Sequence, residues 1–154
     1  MRRAGGIANK DGSPTPLYDP LRVSNHDFVE IARELQPLQS LGVYHAGMMP
    51  SGAQALPAQS VFAFDPPVPA MEYKPPRPLE GALIGIFGKP SKRSSPTHAL
   101  IVNLDYRSAR KVGIRVPKKL EMFNPSTREW SRANQRHIEL DLTPGAGTLV
   151  RIQQ

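Results

Sequence analysis

Any chemistry in this chain would have to come from its carboxylates, its four histidines and a few aromatics, because it contains no cysteine. That excludes disulfide frameworks, thiolate zinc sites, iron–sulfur clusters and cysteine nucleophiles. His26, His45, His98 and His137 are far apart, none pairs with another at metal-ligand spacing, and no acidic cluster adjoins them, so no metal site is expected. Gly145-Ala146-Gly147 lacks the third glycine and the following helix of a dinucleotide loop. Gly88-Lys89 has Leu83 where a phosphate loop needs its first glycine and Pro90 where it needs Ser or Thr. No cofactor is therefore predicted. No Gly-x-Ser-x-Gly elbow presents a nucleophile. Glycoside hydrolysis needs two carboxylates roughly 5–10 Å apart in a cleft. The available pairs, Glu139 with Asp141 on a strand face and Glu30 with Glu34 on a helix face, read as solvated surface, so no catalytic residue is expected. Trp130 and Tyr106 are candidate carbohydrate contacts, since a flat aromatic face packs on the apolar face of a pyranose ring; for Trp130 a half-buried core or hairpin position is the favoured reading.

The elements that would position these groups belong to one domain. With 154 residues the chain is too short for a (β/α)₈ barrel, which takes roughly 250. The charge is lopsided: the whole excess of +7 sits in residues 89–119, in Lys89, Lys92, Arg93, Arg107, Arg110, Lys111, Arg115, Lys118 and Lys119. Such a stretch could neutralise nucleic-acid phosphates, but Tyr106 alone interleaves with it and no nucleic-acid signature accompanies it. An acidic partner suits it as well. The small-residue stretch after Met1-Arg2-Arg3 stops at Asn9-Lys10-Asp11, which gives no signal peptide. Apolar runs reach about six residues where a membrane span needs about 20, so no membrane association is predicted.

From Asp19, apolar residues Leu21, Phe28, Ile31, Leu35 and Leu38 recur at helical spacing. The reading places Asp19 as N-cap, Pro20 at the first helical position, Pro37 as the kink or stop and Gly42 closing the last turn. Asn25, Glu30, Arg33 and Glu34 form the opposite, polar face. Eight of the seventeen prolines fall between Pro50 and Pro78, spaced with Phe62, Phe64, Met71 and Tyr73. This predicts an extended crossing segment that packs aromatics, with a strand at 61–64, rather than a free linker. After Gly81 the period becomes two, giving strands at 82–87, 100–104, 112–116, 120–123, 138–142 and 148–152, joined by hairpins. The predicted fold is mainly β: an antiparallel β-sandwich preceded by an N-terminal amphipathic helix.

Several short words, in order, carry a family resemblance. Asp11-Gly12-Ser13-Pro14-Thr15-Pro16-Leu17-Tyr18, then Val23-Ser24-Asn25, then Gly42-Val43-Tyr44-His45 resemble the end of the catalytic barrel in bacterial glycoside hydrolases similar to the β-galactosidase type. The stretches from Ala99 to Tyr106, Phe123 to Trp130 and Leu142 to Arg151 resemble the C-terminal domain of those enzymes. Arg128 departs from the pattern, since a glycine able to take positive φ is expected there; a different turn geometry follows. The resemblance implies three parts: 1–47, a hairpin and helix like the end of a barrel; 48–80, the Pro-rich crossing segment; and 81–154, the C-terminal β-sandwich. It implies a non-catalytic accessory domain, with the acid and nucleophile on a barrel that this sequence does not contain. The stripe Leu21, Phe28, Ile31, Leu35 and Leu38 would dock on that barrel, present in cis or encoded separately, and the sandwich could help present a polysaccharide. An autonomous carbohydrate-binding module and a basic nucleic-acid-binding domain are the alternatives.

Overall fold

The computed structural model describes residues 6–74, 80–92, 95–133 and 135–153. Met1-Arg2-Arg3, Arg93 and the 75–79 portion of the Pro-rich segment lie outside the described residues. Helix α1 (Tyr18–Leu35) is followed by ten strands: β1 (Gln39–Met49), β2 (Ala63–Phe64), β3 (Met71–Glu72), β4 (Gly81–Gly88), β5 (Pro96–Asn103), β6 (Arg110–Arg115), β7 (Leu120–Asn124), β8 (Glu129–Arg132), β9 (His137–Leu142) and β10 (Gly147–Ile152). A seven-stranded sheet runs β3-β1-β4-β5-β10-β7-β8, and a three-stranded sheet runs β2-β6-β9. Apart from the parallel contacts of β1 with β3 and, through a single bridge from His45, with Ala55, the pairings among the described residues are antiparallel.

Period-two alternation builds the core between the sheets. Ala82, Ile84 and Ile86 of β4, with Ala99 and Ile101 of β5, meet Val112 and Ile114 of β6 and Ile138, Leu140 and Leu142 of β9, all buried in one cluster. The intervening residues of β9, His137, Glu139 and Asp141, are exposed. Phe62 and Phe64 enter the same cluster, so the Pro-rich segment packs its aromatics into the sandwich, with the strand confined to Ala63–Phe64.

The connections differ from the expected chain of hairpins. β5 and β6 lie in opposite sheets, as do β6 and β7 and also β9 and β10, so the turns at 105–108, 117–118 and 143–147 carry the chain across the sandwich. Alternation records which face a residue takes but not which sheet the strand joins. The first and last of these crossings are clamped by Asn103, whose buried Nδ2 donates to Ser108 O at 2.9 Å and Thr143 O at 3.2 Å. The neighbouring Asp105 carboxylate accepts the Arg107 and Ser108 amides, and the Gly145 amide donates to the Asp105 carbonyl.

Two local expectations for the helix are also corrected. Asp19 does not cap α1: the cap position is Leu17, without a side-chain bond, and Asp19 sits in the first turn 3.4 Å from Arg22. The helix ends before Pro37, but Gly42 is part of β1, at a register shift between Ser40 and Gly42. β1 was not foreseen; it runs across residues 47 and 48 and pairs with β4 from Gln39–Gly88 to Gly47–Gly81.

Candidate docking surface

Spacing of four places Glu30 and Glu34 on one face of α1, the face expected to be solvated. The structure reverses that expectation. Glu30 is the buried residue of the helix, and its carboxylate accepts from Arg33 Nη1 at 2.6 Å and from Arg128 Nη2 at 3.0 Å. Glu34 accepts from the indole Nε1 of Trp130 at 3.0 Å. Burial alone would push the Glu30 carboxyl up, but the Arg33 hydrogen bond and the charges of Arg128, Arg33 and His26 outweigh it and hold the group below the ordinary carboxylate range.

Arg128 makes this contact from the turn between β7 and β8, at φ 61°. The turn thus keeps the left-handed geometry expected of glycine, and the expected change of geometry does not occur. An L-residue there costs about 1–2 kcal/mol, and the guanidinium reaching Glu30 offers a compensating interaction. The side chains below are equally connected. The Arg151 guanidinium carbon stands 4.0 Å from the Trp130 ring centroid, with Phe123 at 5.2 Å and His98 at 5.6 Å. Arg151 Nε donates to the buried Glu121 at 2.6 Å.

α1 is therefore tied to the large sheet by Glu30 and Glu34, and its apolar side borders a groove against the outer face of the same sheet. Phe28, 72% exposed, lines a groove of about 1250 Å³ together with the half-buried Ile31, Leu35 and Leu38. The facing wall is Leu100 and Val102 of β5 and the turn 143–147. Leu21 is exposed and lies outside that lining. The structure thus brings four of the five stripe residues to one surface.

The candidate carbohydrate contacts are not brought together on that surface. Trp130 is half-buried against Glu34, Arg151, Phe123 and His98, whereas Tyr106 is 64% exposed on the 105–108 crossing and accepts from Arg107 Nε at 3.1 Å. The four histidines occupy α1, β1, β5 and β9, and no metal-binding group of three His, Asp or Glu side chains forms among the described residues. No helix among them is long and apolar enough to cross a membrane. Glu139 and Asp141 are exposed and meet Lys111 at 3.1 and 3.8 Å.

The sequence assigns His98 no role, yet it is a buried member of the surface beneath α1. Burial, then the charges of Arg151 and Lys89, lower its pKa from 6.5 to about 4. A histidine held neutral in the fold contributes its full stability above pH 6.5 and loses it as the pH falls toward 4. Acidification across that window is expected to lower the unfolding midpoint, and the native emission of Trp130, the sole tryptophan, is expected to change only as the pH passes about 4. His98→Gln is expected to remove this part of the response; an unchanged pH profile would refute the assignment.

Sequence reading missed the pairs Glu30–Arg128 and Glu34–Trp130, which join residues almost a hundred positions apart. The available signal was Arg128 itself, a bulky residue where the turn favours glycine. No protein-family model matches the sequence, and comparison with curated proteins and with solved structures gives no significant match.

Proposed function

We propose that this chain is a non-catalytic accessory β-sandwich of a glycoside hydrolase of the β-galactosidase type, docking on a catalytic barrel through the apolar side of α1. One observation carries the reading: the polar face of α1 is already engaged by Arg128 and Trp130, while Phe28 and its stripe neighbours line an open groove. A strongly exposed phenylalanine bordering an unfilled apolar groove is what a docking partner would cover. The order of the sequence words resembling the end of a barrel and the domain after it supports the choice of partner. The catalytic acid and nucleophile belong to the barrel in this reading, and the chain supplies support.

The test mixes the chain with a β-galactosidase-type barrel lacking its last helix and follows p-nitrophenyl-glycoside hydrolysis and complex formation. Hydrolysis is expected only in the mixture. Phe28→Ser is expected to leave the unfolding free energy of the isolated chain within about 0.5 kcal/mol, because the ring is solvated. The same substitution should weaken association by roughly 3 kcal/mol, a factor of roughly a hundred, from the aromatic area it no longer buries. No complex with the barrel, or equal affinity of the variant, would overturn the reading. The exposed ring of Tyr106 favours the carbohydrate-binding module as the second reading, which would show as glycan binding by the chain alone.

A further inference from the structure

The basic excess of residues 89–119 is unevenly compensated in the fold. Lys111 reaches Glu139 and Asp141, Arg115 lies 3.7 Å from Asp65, and Arg107 stands over Tyr106. Lys118 and Lys119 have no carboxylate within salt-bridge distance among the described residues, and neither has Arg136, which the next turn brings beside them. These three cations line one pocket of about 360 Å³ with Pro117 and Gln153.

Main-chain bonds fix its walls. The Val116 amide donates to Arg136 O at 2.8 Å, the Leu120 amide to Gln135 O at 3.0 Å and the Gln153 amide to Lys119 O at 2.9 Å. Three separate segments are thereby held together, two of them carrying the cations and the third Gln153, and an anion at this pocket would offset the repulsion among the like charges.

We propose that this pocket is a subsite for the anionic group of an acidic polysaccharide, a uronate carboxylate or a sulfate. The lining contains no aromatic on which a base could stack, which disfavours single-stranded nucleic acid. The cations gather at a concavity rather than along a stripe that tracks a duplex backbone. The Gln153 amide and the lysine ammonium groups also supply hydrogen bonds for sugar hydroxyls. The requirement for an anion rests on the three cations; the choice of a sugar polymer rests on the accessory-domain reading above. β10 runs from Gly147, at the groove, to Ile152, next to Gln153, which separates the pocket from the docking groove by roughly 20 Å.

The full chain is titrated with polygalacturonate, heparin, a neutral galactan and a DNA duplex. Binding is expected for polygalacturonate or heparin and not for the galactan, with affinity falling about tenfold or more between about 50 and 200 mM salt. The double variant Lys118→Glu, Lys119→Glu is expected to lose binding at least about tenfold while its unfolding midpoint stays near that of the parent, because both side chains lack an internal partner. Arg136→Gln provides an independent variant with the same expected loss. Absence of binding to both acidic polysaccharides at low salt, undiminished binding by the variants, or tighter binding of DNA than of either polysaccharide would overturn the proposal. Failure here with Phe28-dependent barrel association intact removes the pocket alone; the reverse pattern removes the accessory-domain reading.

Discussion

Phe62→Ala is expected to lower the unfolding free energy by about 3–5 kcal/mol, the range for emptying a fully buried phenylalanine site. The residue lies in the Pro-rich crossing segment, where a free linker would tolerate any substitution. Its ring has no accessible surface and belongs to the cluster formed by Ile84, Ile101, Ile114 and Leu140 from both sheets. Removing it leaves a cavity at the junction of the two layers, which the close-packed strands can only partly refill. Small domains have about 5–15 kcal/mol in all, so the variant is expected to unfold at a much lower urea concentration with little change in the steepness of the transition. A shift worth less than about 1 kcal/mol would mean that the segment is not part of the core.

The same segment shows what the sequence made legible and what it did not. Phe62 and Phe64 stood out because aromatics interspersed among prolines have little reason to be there unless they pack. The strands from Gly81 onward were legible for a comparable reason: one buried face forces alternation, as in Ile138, Leu140 and Leu142 against His137, Glu139 and Asp141. β1 was not legible. Leu41, Tyr44 and Ala46 turn toward the core, but the register shift at Ser40–Gly42 breaks the period, and Leu38 and Gly42 read as the end of the helix. Sheet membership was also hidden, since a strand that crosses to the other layer and one that folds back in a hairpin have the same alternation.

The docking surface was half legible. The spacing of Leu21, Phe28, Ile31, Leu35 and Leu38 identified the apolar side of α1, but the inward side was decided by charges whose partners lie far along the chain. A helix normally buries its apolar stripe because that removes the most nonpolar surface from water. Here Glu30 and Glu34 have specific partners in Arg128 and Trp130, while the stripe borders a groove that the sandwich does not fill. Helical periodicity can identify two faces; it cannot say which one the rest of the molecule holds. The helix thereby stays on its own domain while leaving Phe28 exposed at an open groove between its apolar side and β5, the groove the proposed docking role uses.

Gly113→Ala is expected to cost about 3 kcal/mol, the upper end for overpacking a close-packed site, although the substitution adds a single methyl group to a β-strand. Gly113 lies in β6 opposite Glu139, and its carbonyl accepts the Asp65 amide at 2.9 Å. A Cβ at this position would fall well inside van der Waals contact of the Asp65 carbonyl oxygen and 2.9 Å from His137 Nε2. The imidazole can rotate away, but the backbone oxygen can move only if the chain leaving β2 lifts off β6. That displacement breaks the Asp65–Gly113 bond and draws Phe64, and with it Phe62, out of the core. Thermal and urea unfolding should therefore place Gly113→Ala beside Phe62→Ala, and the double variant should cost less than the two losses added, because both disturb the same contact. Strict additivity would show that the β2–β6 contact and the aromatic anchor act independently; a cost below about 1 kcal/mol for Gly113→Ala would show that the segment can yield without leaving the core.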